Sequence, residues 1–372
     1  MRALVMEEFG AAPRLREVPD PVCPPDGVVV RVEATGLCRS DWHALAGHDP
    51  DVVLPHVPGH EFAGVVHEVG AAVAGWSPGE RVTAPFVHAC GDCPVCRAGD
   101  HQVCPRQTQP GFSRWGSFAE LVVVERAAVN LVRLPDAVDT VTAAALGCRY
   151  ATAFRAVVQV GRVRAGEWVA VHGCGGVGLS AVQVARQAGA RVVAVDVRDE
   201  ALQVAAALGA ELTMNAAALT RDDPLGEASE AGGPDDVLSR QRAATRVAQA
   251  VREATGGGAA LSLDALGHPA TAAASIGGLR PRGRHVQVGL LPPALGWPAL
   301  PMHLVIGGEL ELLGSHGMAA HGYPALLELV AAGRLDPGGL VTATIGLAQA
   351  GPELAAMGER PPTGVTMIDP RR

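Results

Sequence analysis

Apolar runs and turn residues alternate over the first 35 positions. Val28–Val32 predicts a strand, and Pro19–Gly27, with its four prolines, predicts the loop before it. Residues 36–66 collect Cys, His, Asp and Gly, the texture of a site built on loops and short elements. Residues 77–83 (SPGERVT) predict a turn into a strand, and residues 88–111 are a Cys/Pro/Gly loop with no apolar period. The pattern changes near residue 147. Glu167–His172, Arg191–Asp196, Ala259–Asp264 and Arg284–Gly289 predict strands, and Val177–Ala188, Glu200–Leu208 and Val237–Ala254 predict helices. Strand–helix alternation of this kind means a doubly wound parallel sheet. Asp222–Asp236, with six acids in fifteen residues, interrupts it and predicts an exposed loop. From Ser315 the character is mixed again, and the tail is expected to rejoin the first domain.

Composition narrows the class. A chain of 372 residues with 48% apolar and 18% charged positions has a large core, which excludes a mostly disordered protein. Aromatics are only 3%, so that core is built from Ala, Val and Leu. The net charge of −8 argues against nucleic acid as a partner. All 30 cationic residues are arginine, which excludes chemistry through a Schiff-base lysine. His285–Gly308 lacks Asp, Glu, Lys and Arg, yet its four prolines and four glycines prevent one membrane-spanning helix. Met1–Gly10 has acids at Glu7 and Glu8 and no apolar signal core. A cytoplasmic protein with no membrane partner is expected, and there eight cysteines point to metal ligation rather than disulfides.

Trp168–Asp196 reads strand, glycine loop, helix, strand. The loop is Gly173-Cys174-Gly175-Gly176-Val177-Gly178, and an acid, Asp196, closes the next strand. In this context the glycine pattern predicts a dinucleotide site. Gly173 permits the turn, Gly175 lets the backbone approach a pyrophosphate, and Gly178 lets the helix pack close. The helix N-terminus offers N–H groups to the phosphates. Asp196 suits ribose hydroxyls and favours NAD over NADP, whereas Arg198 is of the type that accommodates a 2′-phosphate. FAD and a ligand-free glycine turn are the alternatives.

Cys90, Cys93, Cys96 and Cys104 lie in the irregular loop at a spacing that can wrap one tetrahedral zinc ion. An iron–sulfur cluster is the rival, but the ferredoxin run leaves three residues before its fourth cysteine and this one leaves seven. A zinc-ribbon module for nucleic acid would need a basic cluster around the quartet, which is absent in this acidic chain. Four thiolates leave no open position, so the role is structural. Cys38 in GLCRSDWH and His60 in PGHE are candidates for a second metal. Each is followed by an acid, Asp41 and Glu61, of the type that supports a metal ligand. A buried thiol and an ordinary loop histidine remain the alternative.

These segments, with GCRYAT at Gly147–Thr152, resemble the zinc-dependent medium-chain alcohol dehydrogenases over nearly the whole chain, and bacterial members more than animal ones. The resemblance implies an α/β protein. A GroES-like β-rich catalytic domain would span residues 1–149, completed by 315–372, and a Rossmann NAD-binding domain 150–314. It implies two zinc ions per chain, NAD, and reversible hydride transfer between an alcohol and its aldehyde or ketone. Cys38, His60 and Cys148 would ligate the catalytic zinc, a set taken from the family and not from spacing. The alcohol would bind there as its alkoxide. Asp41 would orient His60, and Glu61 would sit behind the metal. Ser40 and His43 would relay the proton, His43 with an ordinary pKa of about 6.5. Arg39 would reach the pyrophosphate and Thr152 the nicotinamide. Phe86, Trp42, Phe112 and Trp115 would line the substrate pocket. A homo-oligomer, tetramer before dimer, is implied as well. Three features depart from the family pattern: Arg149 after Cys148 where many relatives have glycine, the acidic stretch 222–236, and a tail at Pro361–Val365 without a basic residue. A zinc-free quinone or enone reductase would lack the three ligands, and a non-catalytic NAD-binding protein would keep the nucleotide site alone.

Overall fold

Val28–Leu37 is one strand of ten residues in the computed structural model, twice the length its valine run marks. Its second half, EATGL, has no apolar period of its own. Pairing holds it extended: Phe62–Val69 runs antiparallel on one side, and Leu121–Val124 and Val365–Asp369 share the other. The structure describes residues 1–221, 234–291, 297–360 and 363–372. Most of the acidic stretch 222–236 and the first two positions of 361–365 lie outside them.

Two units divide the chain: residues 1–151 with 316–372, and residues 152–315. In the first, the strands follow one another in the order Val341–Gly346, Val365–Asp369, Val28–Leu37, Phe62–Val69, Arg81–Thr83 and Val132–Arg133, with Leu121–Val124 also on Val28–Leu37. All neighbours are antiparallel except the first pair. Alternate positions Val28, Val30 and Val32 point into a core with Phe62, Val66, Val82 and Val122, as the two-residue period of a strand requires. A second core, with Leu4, Leu37, Leu45, Phe118 and Leu354, lies under the short helix Arg39–Leu45.

The second unit holds the parallel sheet expected from the alternation. Its order is Leu212–Asn215, Arg191–Asp196, Trp168–His172, Ala259–Asp264, Leu279–Gln287 and Glu311–Gly314. This is the doubly wound order of a dinucleotide-binding sheet. Every residue of Ala259–Asp264 is buried, as in a sheet covered on both faces. Helices Gly176–Gln187 and Asp199–Ala207 differ from expectation only at their ends. Leu279–Gln287 starts five residues before the expected Arg284, because Arg280, Pro281 and Arg282 after its buried first residue are exposed and break the apolar signal. Among the described residues no helix is long and apolar enough to cross a membrane.

Candidate active site

Cys38 ends the long strand and caps the helix Arg39–Leu45. Its backbone N–H donates to Asp41 Oδ2 at 2.9 Å, a capping contact one turn into the helix. The other oxygen, Oδ1, accepts from Gly59 N at 3.1 Å and from His60 Nδ1 at 2.9 Å. One buried carboxylate thus ties the GLCRSDWH and PGHE segments together. Gly59 sits at φ +103°, and a Cβ there would meet the Phe118 ring at 2.4 Å, so PGHE needs its glycine.

Cys148 arrives from a different part of the chain. Helix Thr140–Ala145, capped by Asp139, runs into a π-helical stretch, Leu146–Tyr150, which carries it. Such π turns recur at functional sites. One donor atom from each of Cys38, His60, Glu61 and Cys148 lies within 4.8 Å of the others. Cys38 is pulled well below the ordinary thiol value by hydrogen bonding from Cys148 and by His60. Burial opposes a charged His60, but the Asp41 charge and hydrogen bond outweigh it and hold the imidazole well above its usual value. His60 Nε2 is buried with no hydrogen-bond partner among the described residues. A buried orphan nitrogen facing two thiols fits a zinc ion, which takes nitrogen and sulfur donors.

Behind the cluster Glu61 meets Arg149. Glu61 Oε1 accepts from Cys148 N at 3.1 Å, Arg149 N at 3.0 Å and Arg149 Nε at 3.0 Å, and Oε2 accepts from Arg149 Nη2. No local pattern announces that these two residues, 88 positions apart, pair.

Around the cluster the expected residues divide. The Cys38 thiol donates to Ser40 Oγ at 3.8 Å. His43 bonds not to a residue expected beforehand but to His48, Nδ1 to Nδ1 at 3.1 Å. Burial, Arg39 and His48 push His43 down to about 4, so its ordinary value does not hold here. His48 was missed, and its only signal was a histidine in a Gly-His-Asp-Pro turn. Arg39 stacks over the Trp42 ring, 4.0 Å to its centroid, and donates to Met357 O at 2.5 Å. Trp42 therefore packs beneath Arg39 and edges His43 and His48. Phe86 and Phe112 flank His60, with ring centroids 6.2 and 5.1 Å away. Trp115 stands apart, its indole N–H on Pro55 O at 3.2 Å. With Phe112, His56 and His88 it lines a cavity of about 490 Å³.

The four-cysteine loop closes on itself. Cys90 and Cys96 sulfurs are 3.8 Å apart, Cys93 and Cys104 sulfurs 3.9 Å, and all four lie within 4.8 Å. Backbone N–H groups of Cys90, Cys96 and Arg106 donate to sulfurs at 3.3–3.4 Å. That donor pattern suits thiolates around a cation.

In the second unit Gly173 has φ +89°, and a Cβ on Gly178 would lie 1.8 Å from Gly173 O, so the helix packs as closely as only glycine permits. A Cβ on Gly175 would meet nothing within 4 Å, and Gly175 caps Gly176–Gln187 without a side-chain hydrogen bond to the first-turn N–H groups. Asp196 Oδ2 accepts from Cys174 N at 2.6 Å and Oδ1 from Arg198 N at 2.9 Å, and Arg198 Nε lies 3.7 Å from Oδ1. Thr152 Oγ1 is buried without a hydrogen-bond partner among the described residues.

Residues 24–136 match the alcohol dehydrogenase GroES-like domain, and residues 176–332 match the zinc-binding dehydrogenase domain. An alcohol dehydrogenase of Geobacillus stearothermophilus is 41% identical over 217 residues, which is 58% of this chain and 64% of that protein. The chain thus spans just under two thirds of the length of that curated relative. A NAD-dependent alcohol dehydrogenase of Sulfurisphaera tokodaii is 30% identical over 362 residues, 94% of each chain. Among solved structures, an alcohol dehydrogenase from Thermus sp. ATN1 superposes with a TM-score of 0.84 at 32% identity, over 99% of both chains.

Proposed function

Because the chain belongs to the zinc-dependent medium-chain dehydrogenase family, we propose that it is an alcohol dehydrogenase that interconverts an alcohol and its aldehyde or ketone with NAD. One observation carries this reading: Cys38, His60 and Cys148 meet in a buried cluster around an unpartnered His60 Nε2. These three residues would hold the catalytic zinc, and Cys90, Cys93, Cys96 and Cys104 a structural one. Zinc at the first site supplies Lewis acidity toward the substrate oxygen. NAD supplies the hydride acceptor.

The chain's own residues do the rest. Asp41 takes the Nδ1 proton of His60 in a hydrogen bond and so keeps the Nε2 lone pair aimed at the cluster. Ser40, beside Cys38, takes the substrate's hydroxyl proton. His43 is neutral at neutral pH and accepts that proton on its way out, with His48 as its neighbour toward solvent. Phe86 and Phe112 exclude water around His60 and select apolar substituents. Trp42 serves Arg39, which would meet the cofactor's phosphates. Gly173, Gly175 and Gly178 cradle the pyrophosphate, Thr152 contacts the nicotinamide, and Asp196 takes the ribose hydroxyls, which favours NAD. Eight free cysteines support a cytoplasmic address. A homo-oligomer completes the reading.

The test is nicotinamide absorbance with zinc-loaded protein against primary, secondary, aromatic and polyol alcohols, each with NAD and NADP. Turnover with one class is expected, lost at least about a thousandfold in Cys38→Ser while NAD binding persists. Turnover that survives Cys38→Ser, or silence across the panel from protein that holds both zinc and NAD, would overturn the proposal.

A further inference from the structure

Arg149 follows the ligand candidate Cys148 and takes no part in the reaction proposed above. Three donors from Cys38, His60 and Cys148 leave a tetrahedral cation one open position. A fourth protein donor stands within reach, because a Glu61 carboxylate oxygen also lies within 4.8 Å of the other three donor atoms. Carboxylate is a good zinc ligand, and a site closed by it could not take substrate.

The Glu61 carboxylate is fully engaged elsewhere. Arg149 grips both oxygens, Nε on Oε1 at 3.0 Å and Nη2 on Oε2. The backbone N–H groups of Cys148 and Arg149 add two more donors to Oε1. Arg149 Nη1 is fixed in turn to Leu37 O at 3.1 Å, on the residue before Cys38. Glu61 is wholly buried and Arg149 nearly so. Two glycines leave the room. A Cβ on Gly36 would lie 2.5 Å from Glu61 Oε2 and 2.7 Å from Arg149 Nη2, and one on Gly147 would lie 2.7 Å from Glu61 Cα. A guanidinium can hold both oxygens in one plane, and an ammonium cannot.

We propose that Arg149 is a positioning residue that holds the Glu61 carboxylate away from the metal and so keeps the fourth position open to an exchangeable oxygen or nitrogen ligand. The inference rests on the metal reading above, and its test separates the two. Cobalt(II) replaces zinc in the holoprotein, and its ligand-field absorption reports donor number. Azide, titrated into the same samples, reports access to the open position.

In Arg149→Gln the carboxylate is released to the metal. The ligand-field bands shift with the exchanged donor, and azide binding falls about tenfold or more. Glu61→Gln combined with Arg149→Gln returns both signals to the wild-type values, because a neutral amide competes poorly for the cation. A merely structural loss would not be repaired by that second change. Should Arg149→Gln fail to fold, Arg149→Lys carries the same test, with a smaller shift in the same direction. Signals unchanged in the single variant, or not restored in the double, overturn this inference alone. Thiolate–cobalt absorption left unchanged by Cys38→Ser overturns the metal reading and this inference together.

Discussion

His172 and His285 lie inside the parallel sheet, and burial makes both reluctant to charge. His172 is pushed down to about 3, by burial and by the neighbouring His285, and His285 to about 4 by burial. His285 Nδ1 faces Ser275 at 2.9 Å and Ser262 at 3.4 Å, and its Nε2 faces Gln287, which bonds Asp264. In the unfolded chain each imidazole titrates near 6.5. Below that value the unfolded state binds protons that the folded state refuses, so stability falls as the pH drops from about 6.5 toward about 4. Each such histidine adds a slope of about 1.4 kcal/mol per pH unit. Urea unfolding of His285→Gln between pH 6 and pH 4.5 is expected to lose about that much slope. An unchanged slope would mean that His285 is already charged in the fold. Residue by residue, much of the site was legible. Asp41 and Glu61 could be picked out because each adjoins a ligand candidate, and both lie at the cluster. The partner of Glu61 could not, because a salt bridge across 88 positions leaves no local pattern. The His43–His48 contact escaped for the opposite reason: five positions apart in a turn, it has no helical or strand period to announce it.

Among elements, the cysteine loop depends most on chemistry and least on packing. Its buried cluster is Ala89 and the four cysteines, with Val95 and Val129 against them. Its longest helix, Pro94–Arg97, has four residues. So small an apolar set cannot offset the entropy of ordering a loop of this length, and a metal bound by the four thiolates would supply the difference. Cys96→Ser, or removal of the metal by a chelator, should open residues 88–111 to protease while the sheet around Val28–Leu37 stays protected. Simultaneous loss of protection in both would show that the loop is part of the main core. The elements of the second unit could be drawn from apolar period alone, because a sheet with both faces covered writes long apolar runs into the sequence. The π-helical stretch Leu146–Tyr150 could not, since its shape comes from the packing of Gly147 against Glu61 and not from propensity.

At the largest scale, the described residues of the second unit include a group of exposed apolar side chains. Helix Met302–Gly308 buries none of its residues, Ile306 is 77% exposed, Trp297 is 99% exposed, and the edge strand Glu311–Gly314 ends the sheet beside them. Apolar surface next to an open strand edge marks an association site. Light scattering at micromolar concentration should find a homo-oligomer, and Ile306→Asp a smaller species. A monomeric wild type would refute that. Finally, the sheet that carries Cys38 is closed by a strand from the far end of the chain: Val365–Asp369 seats on Thr35–Leu37, and Arg2 reaches Pro370 O across 368 positions. A ribosome delivers Val28–Leu37 well before its partner Val365–Asp369, with the whole parallel-sheet unit emerging between them. The intervening unit can fold while still tethered, whereas the strand that leads into Cys38 waits with an open edge until Val365–Asp369 has emerged. Chains that stall after the parallel-sheet unit would therefore keep that unit folded and leave the sheet beside Cys38 unfinished, a division of fates set by the order of synthesis alone.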